Sequence, residues 1–260
     1  MSPIWERKGV SRLHVFILAL LLVSCLIMPV PGVYATLTVT QPSIADTCIN
    51  EELPNKNYGW HPDIFVNAYS AGRERALVKF DLSGISSGAS INSARLKLYY
   101  CDAFGNPAGR TFNAYRVTKD WVEYQATWND YSAGHPWTNP GGDYTTEGGS
   151  SSTVPATIGQ WMVWDVTAIV KAWIEGGQPN CGFIIKDKSE DAPEPRYASF
   201  YSKEGPTPEW RPILEVDWSR PVGGVLVPVN KPAILTPYLT LLGLIGAIAI
   251  ISVTLRRRVT

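Results

Sequence analysis

Between residues 36 and 218 apolar and polar positions alternate with a period of two. In Arg75-Ala76-Leu77-Val78-Lys79-Phe80-Asp81, Ala76, Val78 and Phe80 share one face while Arg75, Lys79 and Asp81 share the other. Arg95-Leu96-Lys97-Leu98-Tyr99-Tyr100 alternates more cleanly, with Leu96, Leu98 and Tyr100 inward. Further short runs occupy 36–40, 45–49, 64–69, 111–117, 161–166, 182–187, 197–202 and 211–217. Turn residues separate them: Pro54-Asn55, Ala71-Gly72, Ser87-Gly88, Gly105-Asn106-Pro107, Pro140-Gly141-Gly142, Gly176-Gly177 and Gly205-Pro206. This pattern predicts an all-β domain over 36–218, a jelly-roll-like sandwich of two sheets. One segment departs from it. Val166, Ile169, Val170 and Trp173 recur at helical spacing, with Asp165 or Thr167 as N-cap and Gly176-Gly177 as stop, so a short helix is expected at 168–175. Residues 139–159 are mostly Gly, Ser, Thr and Pro and read as a long surface loop.

Both ends of the chain are apolar without alternation. Arg7, Lys8 and Arg12 precede an uncharged run from Val15 to Val30, then Pro31-Gly32 and the small-residue pattern Val33-Tyr34-Ala35. That order of parts is a secretory signal over 1–35, with cleavage expected after Ala35. Near the other end, Ala233 to Leu255 carries no charge and Arg256-Arg257-Arg258 follows directly. At about 1.5 Å per residue the run is long enough to cross a hydrocarbon core of roughly 30 Å. The arginines should stay cytoplasmic, which puts residues 256–260 inside and the β domain outside, as a single-pass type I protein of the cell membrane. Residues 219–232, rich in Pro, Gly and Val, read as a short extended stalk. The stretch Pro221 to Lys231, with the apolar span and arginines behind it, resembles the C-terminal anchors of archaeal surface proteins.

Charge narrows the partners. The whole chain is formally neutral, but six of its 23 Lys and Arg and one of its 23 acids lie outside 36–232, leaving 17 basic and 22 acidic side chains between. A mildly acidic domain does not bind nucleic acid by neutralising phosphates. Cys48, Cys101 and Cys181 remain after signal removal; the outside compartment permits one disulfide and three pairings are open. There is no C-x-x-C pair and no Gly-rich phosphate loop, so no cofactor is expected. Calcium is the one ion with a candidate donor set: Asp187, Ser189, Glu190, Asp191 and Glu194 in one stretch, and Asp46, Glu51 and Glu52 in another. Neither has EF-hand spacing, and both read first as solvated acidic loops. Asp120 and Glu123 are the carboxylate pair for a glycosidase-like reading, but no nucleophile elbow or triad accompanies them, so catalysis is not expected.

A family resemblance runs through the middle of the chain. It is carried by Ala45-Asp46-Thr47 with Asn57-Tyr58-Gly59, by Arg75 to Ile85 and by Ala94 to Tyr100. Arg116-Val117, Trp121-Val122-Glu123 and Thr127-Trp128-Asn129 continue it, then Pro136-Trp137 and Pro140 to Asp143. It closes with Trp161 to Gly177, Asn180 to Phe183, and Phe200 to Glu204 running to Arg211-Pro212. In this order the segments resemble the DNRLRE (disaggregatase-related) domains, classed among carbohydrate-binding modules. The resemblance implies a β-sandwich at the cell surface that binds polysaccharide, sometimes attached to degrading enzymes, and does not by itself imply catalysis. Together with the thin catalytic ingredients it leads to the expectation of a membrane-anchored, non-catalytic protein that binds polysaccharide of the cell envelope or matrix.

Nine of the ten tryptophans lie in the β domain. Trp161, Trp164, Trp173 and Trp218 sit on strand or helix periods and read as packing residues, as do Trp121 and Trp128 beside a short connection. Trp60 and Trp137 stand in Gly/Pro-rich loops with polar neighbours, where binding groups concentrate. Tyr58, Trp60, Tyr131, Trp137 and Tyr144 are therefore the expected ligand-stacking residues. A structural or adhesion protein using the same surface against protein partners is the alternative, and a polysaccharide-degrading enzyme the second.

Overall fold

In a computed structural model, residues 34–221 are described. Residues 1–33 of the expected signal, residues 222–232 of the expected stalk, and the span and cytoplasmic tail lie outside the described residues. The last two residues of the expected signal, Tyr34 and Ala35, and the first three of the expected stalk, Ser219 to Pro221, belong instead to the first and last strands, which pair with each other. Among the described residues no helix is long and apolar enough to cross a membrane.

In chain order the strands are β1 (Tyr34–Asn50), β2 (Asp63–Asn67), β3 (Glu74–Phe80), β4 (Ser90–Phe104), β5 (Thr111–Val117), β6 (Asp130–Ser132) and β7 (His135–Pro136). Then come β8 (Tyr144–Thr153), β9 (Gln160–Asp165), the helix α1 (Thr167–Ile174), β10 (Phe183–Asp187), β11 (Tyr197–Tyr201) and β12 (Ile213–Pro221). The domain is all-β with one short helix, as the alternation predicts.

Pro42 divides the first strand. Up to that residue β1 pairs antiparallel with β12, setting Tyr34 opposite Pro221 and Pro42 opposite Ile213. From Ser43 the strand pairs with β3 instead, with a bulge between Ser43 and Ala45. A proline gives no N–H to a ladder, so it suits the point where a strand changes partner. Following the pairs from β1 through β12, β4, β11, β2 and β3 leads back to β1, and the six strands close a barrel-like ring. Its thinnest seam is β2 to β3, joined at Asn67 and Glu74 alone. β10, β5 and β8 extend the sheet from β3, and β9 lies on the edge of β4 opposite β11.

Inside, one face of each strand meets the others. Val78, Phe80, Leu96, Leu98, Phe112, Met162, Trp164, Phe183, Phe200 and Val216 are buried together. Each such side chain contributes roughly 1.5–3 kcal/mol relative to exposure. The helix begins one residue before its expected start, and Val166, not Asp165 or Thr167, stands at the N-cap with no side-chain cap bond. Asp165, one residue further out, accepts the Thr167 N–H at 3.0 Å. Ile169, Val170 and Trp173 face the core, and the Trp173 ring lies 4.8 Å from that of Phe183.

Two departures from the sequence reading matter for the site. First, the loop expected over 139–159 contains β8, which pairs with β5 from Thr111 to Val117. β5 offers a free row of backbone donors and acceptors there, and a ladder needs no apolar side chains. Second, β3 is buried on both faces. Leu77 and Ile184, turned away from the main core, form a second cluster with Trp121, Trp128 and Trp137 of the loops between β5 and β8. A loop layer thus covers the back of β3 and β10.

Candidate functional site

On the outer face of β9, β4 and β11, the polar phase of the alternation carries aromatic rings. Tyr99 of β4 stands directly opposite Trp161 of β9, and the rings meet edge to face at 5.3 Å. Tyr201, the last residue of β11, lies nearly parallel to Tyr99 at 6.1 Å. Trp210 comes from the loop between β11 and β12 and stacks on Tyr99 at 4.7 Å, 2° from parallel, and on Tyr201 at 5.7 Å. A short 3₁₀ turn, Pro208–Trp210, aims this residue, and the Arg211 guanidinium ties the loop down by donating twice to the Gly205 carbonyl at 3.0 Å. Gly205 itself is required: a Cβ there would stand 2.9 Å from the Ser202 carbonyl and 3.0 Å from Tyr201 Cβ.

Polar groups border the rings. Lys97 Nζ lies 5.2 Å from the Trp161 ring centre and 2.8 Å from Glu215, with Arg95 on the far side of that carboxylate at 3.9 Å. Flat rings beside charged hydrogen-bonding groups are what a pyranose needs, because its C–H faces are apolar and its edge hydroxyls are not. Trp210 is 37% exposed, and Tyr99, Trp161 and Tyr201 are half-buried. None of the four was among the expected stacking residues. The signal was present in the alternation, which sets Tyr99 opposite in phase to Leu98 and Trp161 opposite to Met162.

The five expected residues do not form one surface. Trp60 is 72% exposed and stacks on Tyr124 at 4.0 Å. Its loop is held by Asn57, whose amide donates to the Glu123 and Ala126 carbonyls at 2.7 Å, and by Gly59, where a Cβ would stand 2.7 Å from the Glu123 oxygen. Tyr58 is half-buried in the same loop, with Lys56 Nζ 4.8 Å from its ring centre. Trp137 is a correction: it is 3% exposed, and its indole N–H donates to the Thr127 carbonyl at 2.9 Å. Its loop is polar in composition, but the back of β3 and β10 has to be covered, and the indole does that. Tyr131 packs on Trp137 at 5.7 Å. Tyr144 stacks on Tyr115 at 5.3 Å and lines a polar cavity of about 600 Å³ with Arg75, Lys119 and Asp143.

The acidic residues sort differently from their order in sequence. Arg110 holds Asp187 through two bonds of 2.7 and 2.8 Å and reaches Asp191 at 2.6 Å. Burial pushes Asp187 up, yet Arg110 and the N–H groups of Ser189 and Glu190 outweigh it and hold the carboxyl below its ordinary range. Glu190 pairs with Arg75 and Lys186, and Glu51 with Arg73. Asp46 instead joins two distant residues: carboxylate oxygens of Asp46, Glu123 and Glu204 lie within 4.8 Å of one another. Burial raises the Asp46 carboxyl to about 7; the hydrogen bonds from Ser43 and the Lys203 N–H lower it in part, and the charges of Glu204 and Glu123 add a smaller upward push. Asp120 pairs with Lys79 and is largely exposed, while Glu123 is buried against Lys203, so the two have separate partners. Cys48, Cys101 and Cys181 are free thiols, and burial raises each of them well away from a reactive thiolate.

An all-β domain with an aromatic, polar-bordered sheet face has the form of a carbohydrate-binding module. Residues 37–217 match the family model of carbohydrate-binding module family 96, and the chain belongs to this family. No curated protein matches the chain.

Proposed function

We propose that this protein binds polysaccharide of the cell envelope or matrix along the outer face of β9, β4 and β11, without catalysis. The observation that supports the reading is the convergence of Tyr99, Trp161, Tyr201 and Trp210 from three strands and one tethered loop, with Lys97 and Glu215 beside them. Rings fixed on strands lose little freedom when a chain of sugars lies across them. The ring of strands is read as a flattened two-sheet sandwich of the DNRLRE type. A cleaved signal and a single C-terminal span, the two charge-free apolar runs of the sequence, hold it outside the cell.

A glycan array with the full chain tests the reading, run beside Trp210→Ala and Trp161→Ala. Saturable binding that both substitutions weaken is the expected result; no saturable binding to any sugar would favour the structural or adhesion role. New reducing ends after incubation with the bound polysaccharide would make it an enzyme instead. Protease added to intact cells should digest the domain, and resistance until lysis would invert the topology.

One observation favours a second surface. Trp60 is the most exposed of the large apolar side chains described and lies flat on Tyr124. Trp60→Ala, compared with Trp210→Ala on the same array, decides between the two.

A further inference from the structure

Three segments far apart in sequence bring carboxylates to one buried point: Asp46 from β1, Glu123 from the connection after β5, and Glu204 from the loop after β11. Asp46 is 1% exposed. Its Oδ2 accepts the Ser43 hydroxyl and the Lys203 N–H, both at 2.9 Å, whereas among the described residues no donor reaches Oδ1. Glu123 Oε1 accepts the Asp46 N–H at 2.8 Å, and its Oε2 lies 3.3 Å from Lys203 Nζ, which also pairs with Glu204. Lys203 is the one cation paired with the group among the described residues. Three carboxyl groups share one ammonium, so ionising all three leaves two negative charges uncompensated. Buried charge in that state is costly, and one divalent cation cancels it.

We propose that Asp46, Glu123 and Glu204 bind a calcium ion that ties β1 to the two loops beneath the Trp60–Tyr124 pair. The donors are all carboxylate oxygens, which select a hard cation over zinc or copper. Calcium–oxygen bonds of 2.3–2.6 Å place oxygens on opposite sides of one ion about 4.8 Å apart, so the observed group can share a single ion. Calcium accepts irregular shells of six to eight oxygens, whereas magnesium demands a near-ideal octahedron. The open Oδ1 of Asp46 supplies a ligand that costs no existing hydrogen bond. The ion would also fix the aromatic pair: Glu123 precedes Tyr124, and Lys203 Nζ lies 3.2 Å from the Tyr124 hydroxyl. The assignment stands apart from the glycan reading, because its readout is the metal.

The test uses the full chain in neutral detergent, stripped with EGTA and titrated with calcium chloride by calorimetry, with melting followed in parallel. One saturable site is expected, with a dissociation constant on the order of 10⁻⁴–10⁻³ M, the range of extracellular modules. The melting temperature should rise with calcium and fall with EGTA. Asp46→Asn and Glu204→Gln should each weaken binding by about tenfold or more, as loss of a charged ligand does. Glu204 is partly exposed, so Glu204→Gln keeps the test open if Asp46→Asn fails to fold. Terbium luminescence sensitised by the neighbouring aromatic rings should appear in the wild type and be lost in both variants. Absence of saturable binding up to about 10 mM calcium, tenfold above the weak end of that range, with melting indifferent to EGTA, overturns the proposal. So does calcium binding that both variants leave unchanged, or a site that takes magnesium in preference.

Discussion

The outer face of β9, β4 and β11 and the loop layer over β3 and β10 are both rich in tryptophan and tyrosine, yet they use these residues in opposite ways. On the strands, Tyr99, Trp161 and Tyr201 point away from the core, and Trp210 folds onto them from a tethered loop. In the loops, Trp121, Trp128 and Trp137 point inward, and the indole N–H groups of Trp121 and Trp137 are satisfied by the Cys181 and Thr127 carbonyls at 2.9 Å. What decides the orientation is which surface each ring would otherwise leave uncovered. β3 and β10 have apolar residues on both faces, so whatever loop crosses their back must bring apolar cover. The outer face of β4 carries Arg95 and Lys97 and needs no apolar cover, so its rings stay half-buried at the surface, where Trp210 stacks on Tyr99 and Tyr201.

The difference can be probed by substitution. Trp137→Ala should cost about 3–5 kcal/mol of stability in urea unfolding, as loss of a buried indole does. A loss below about 1 kcal/mol would return Trp137 to the exposed set. Next in size, Tyr99→Ala and Trp210→Ala should each weaken polysaccharide binding by about 2 kcal/mol, roughly 30-fold, while moving the unfolding midpoint little. Affinity electrophoresis beside far-UV dichroism reads both effects. Trp60→Ala should cost under about 1 kcal/mol of stability, the scale of one exposed stacking contact, and leave glycan affinity within threefold. A larger loss of affinity would move the binding surface to the loops. The last test is electrostatic, touches neither region, and reads a slope with pH rather than a loss of stability. The folded Asp187 carboxyl lies below its ordinary value of 3.8, so its contribution is complete above that pH and is lost as pH falls further. Asp187→Asn should therefore flatten the acid limb of a stability–pH curve below about pH 4 and leave the slope near neutrality unchanged.

The fold was largely legible because its signal is strand periodicity. Ten strand segments and the helix follow from alternation and turn residues, and Trp164, Trp173 and Trp218 pack as their phase requires. β8 was hidden because an edge strand paired on one side draws its stability from backbone bonds, and its Gly and Ser leave no pattern to read. The aromatic face was legible in part: the phase of Tyr99 and Trp161 could be read, but that Tyr201 and Trp210 join them depends on register between strands about 100 residues apart in sequence. Trp137 shows the opposite limit. Its neighbours His135, Pro136, Thr138 and Asn139 announce a loop, and nothing local says that the loop closes over Leu77 and Ile184. The carboxylate group was invisible for the same reason, since Asp46, Glu123 and Glu204 meet only after β1, the connection after β5 and the turn after β11 are in place.

The divided pairing of β1 also sets when the domain can finish folding. The leading half of that strand has its partner at the far end of the domain, with Thr36 opposite Ser219. A nascent chain emerging from its N-terminus therefore carries an unmatched strand edge through almost the entire synthesis of the domain. Contacts of such long sequence separation form slowly, and the waiting edge is open to pairing with other chains. Export before folding, or a chaperone that holds β1 until β12 arrives, would spare the protein that hazard.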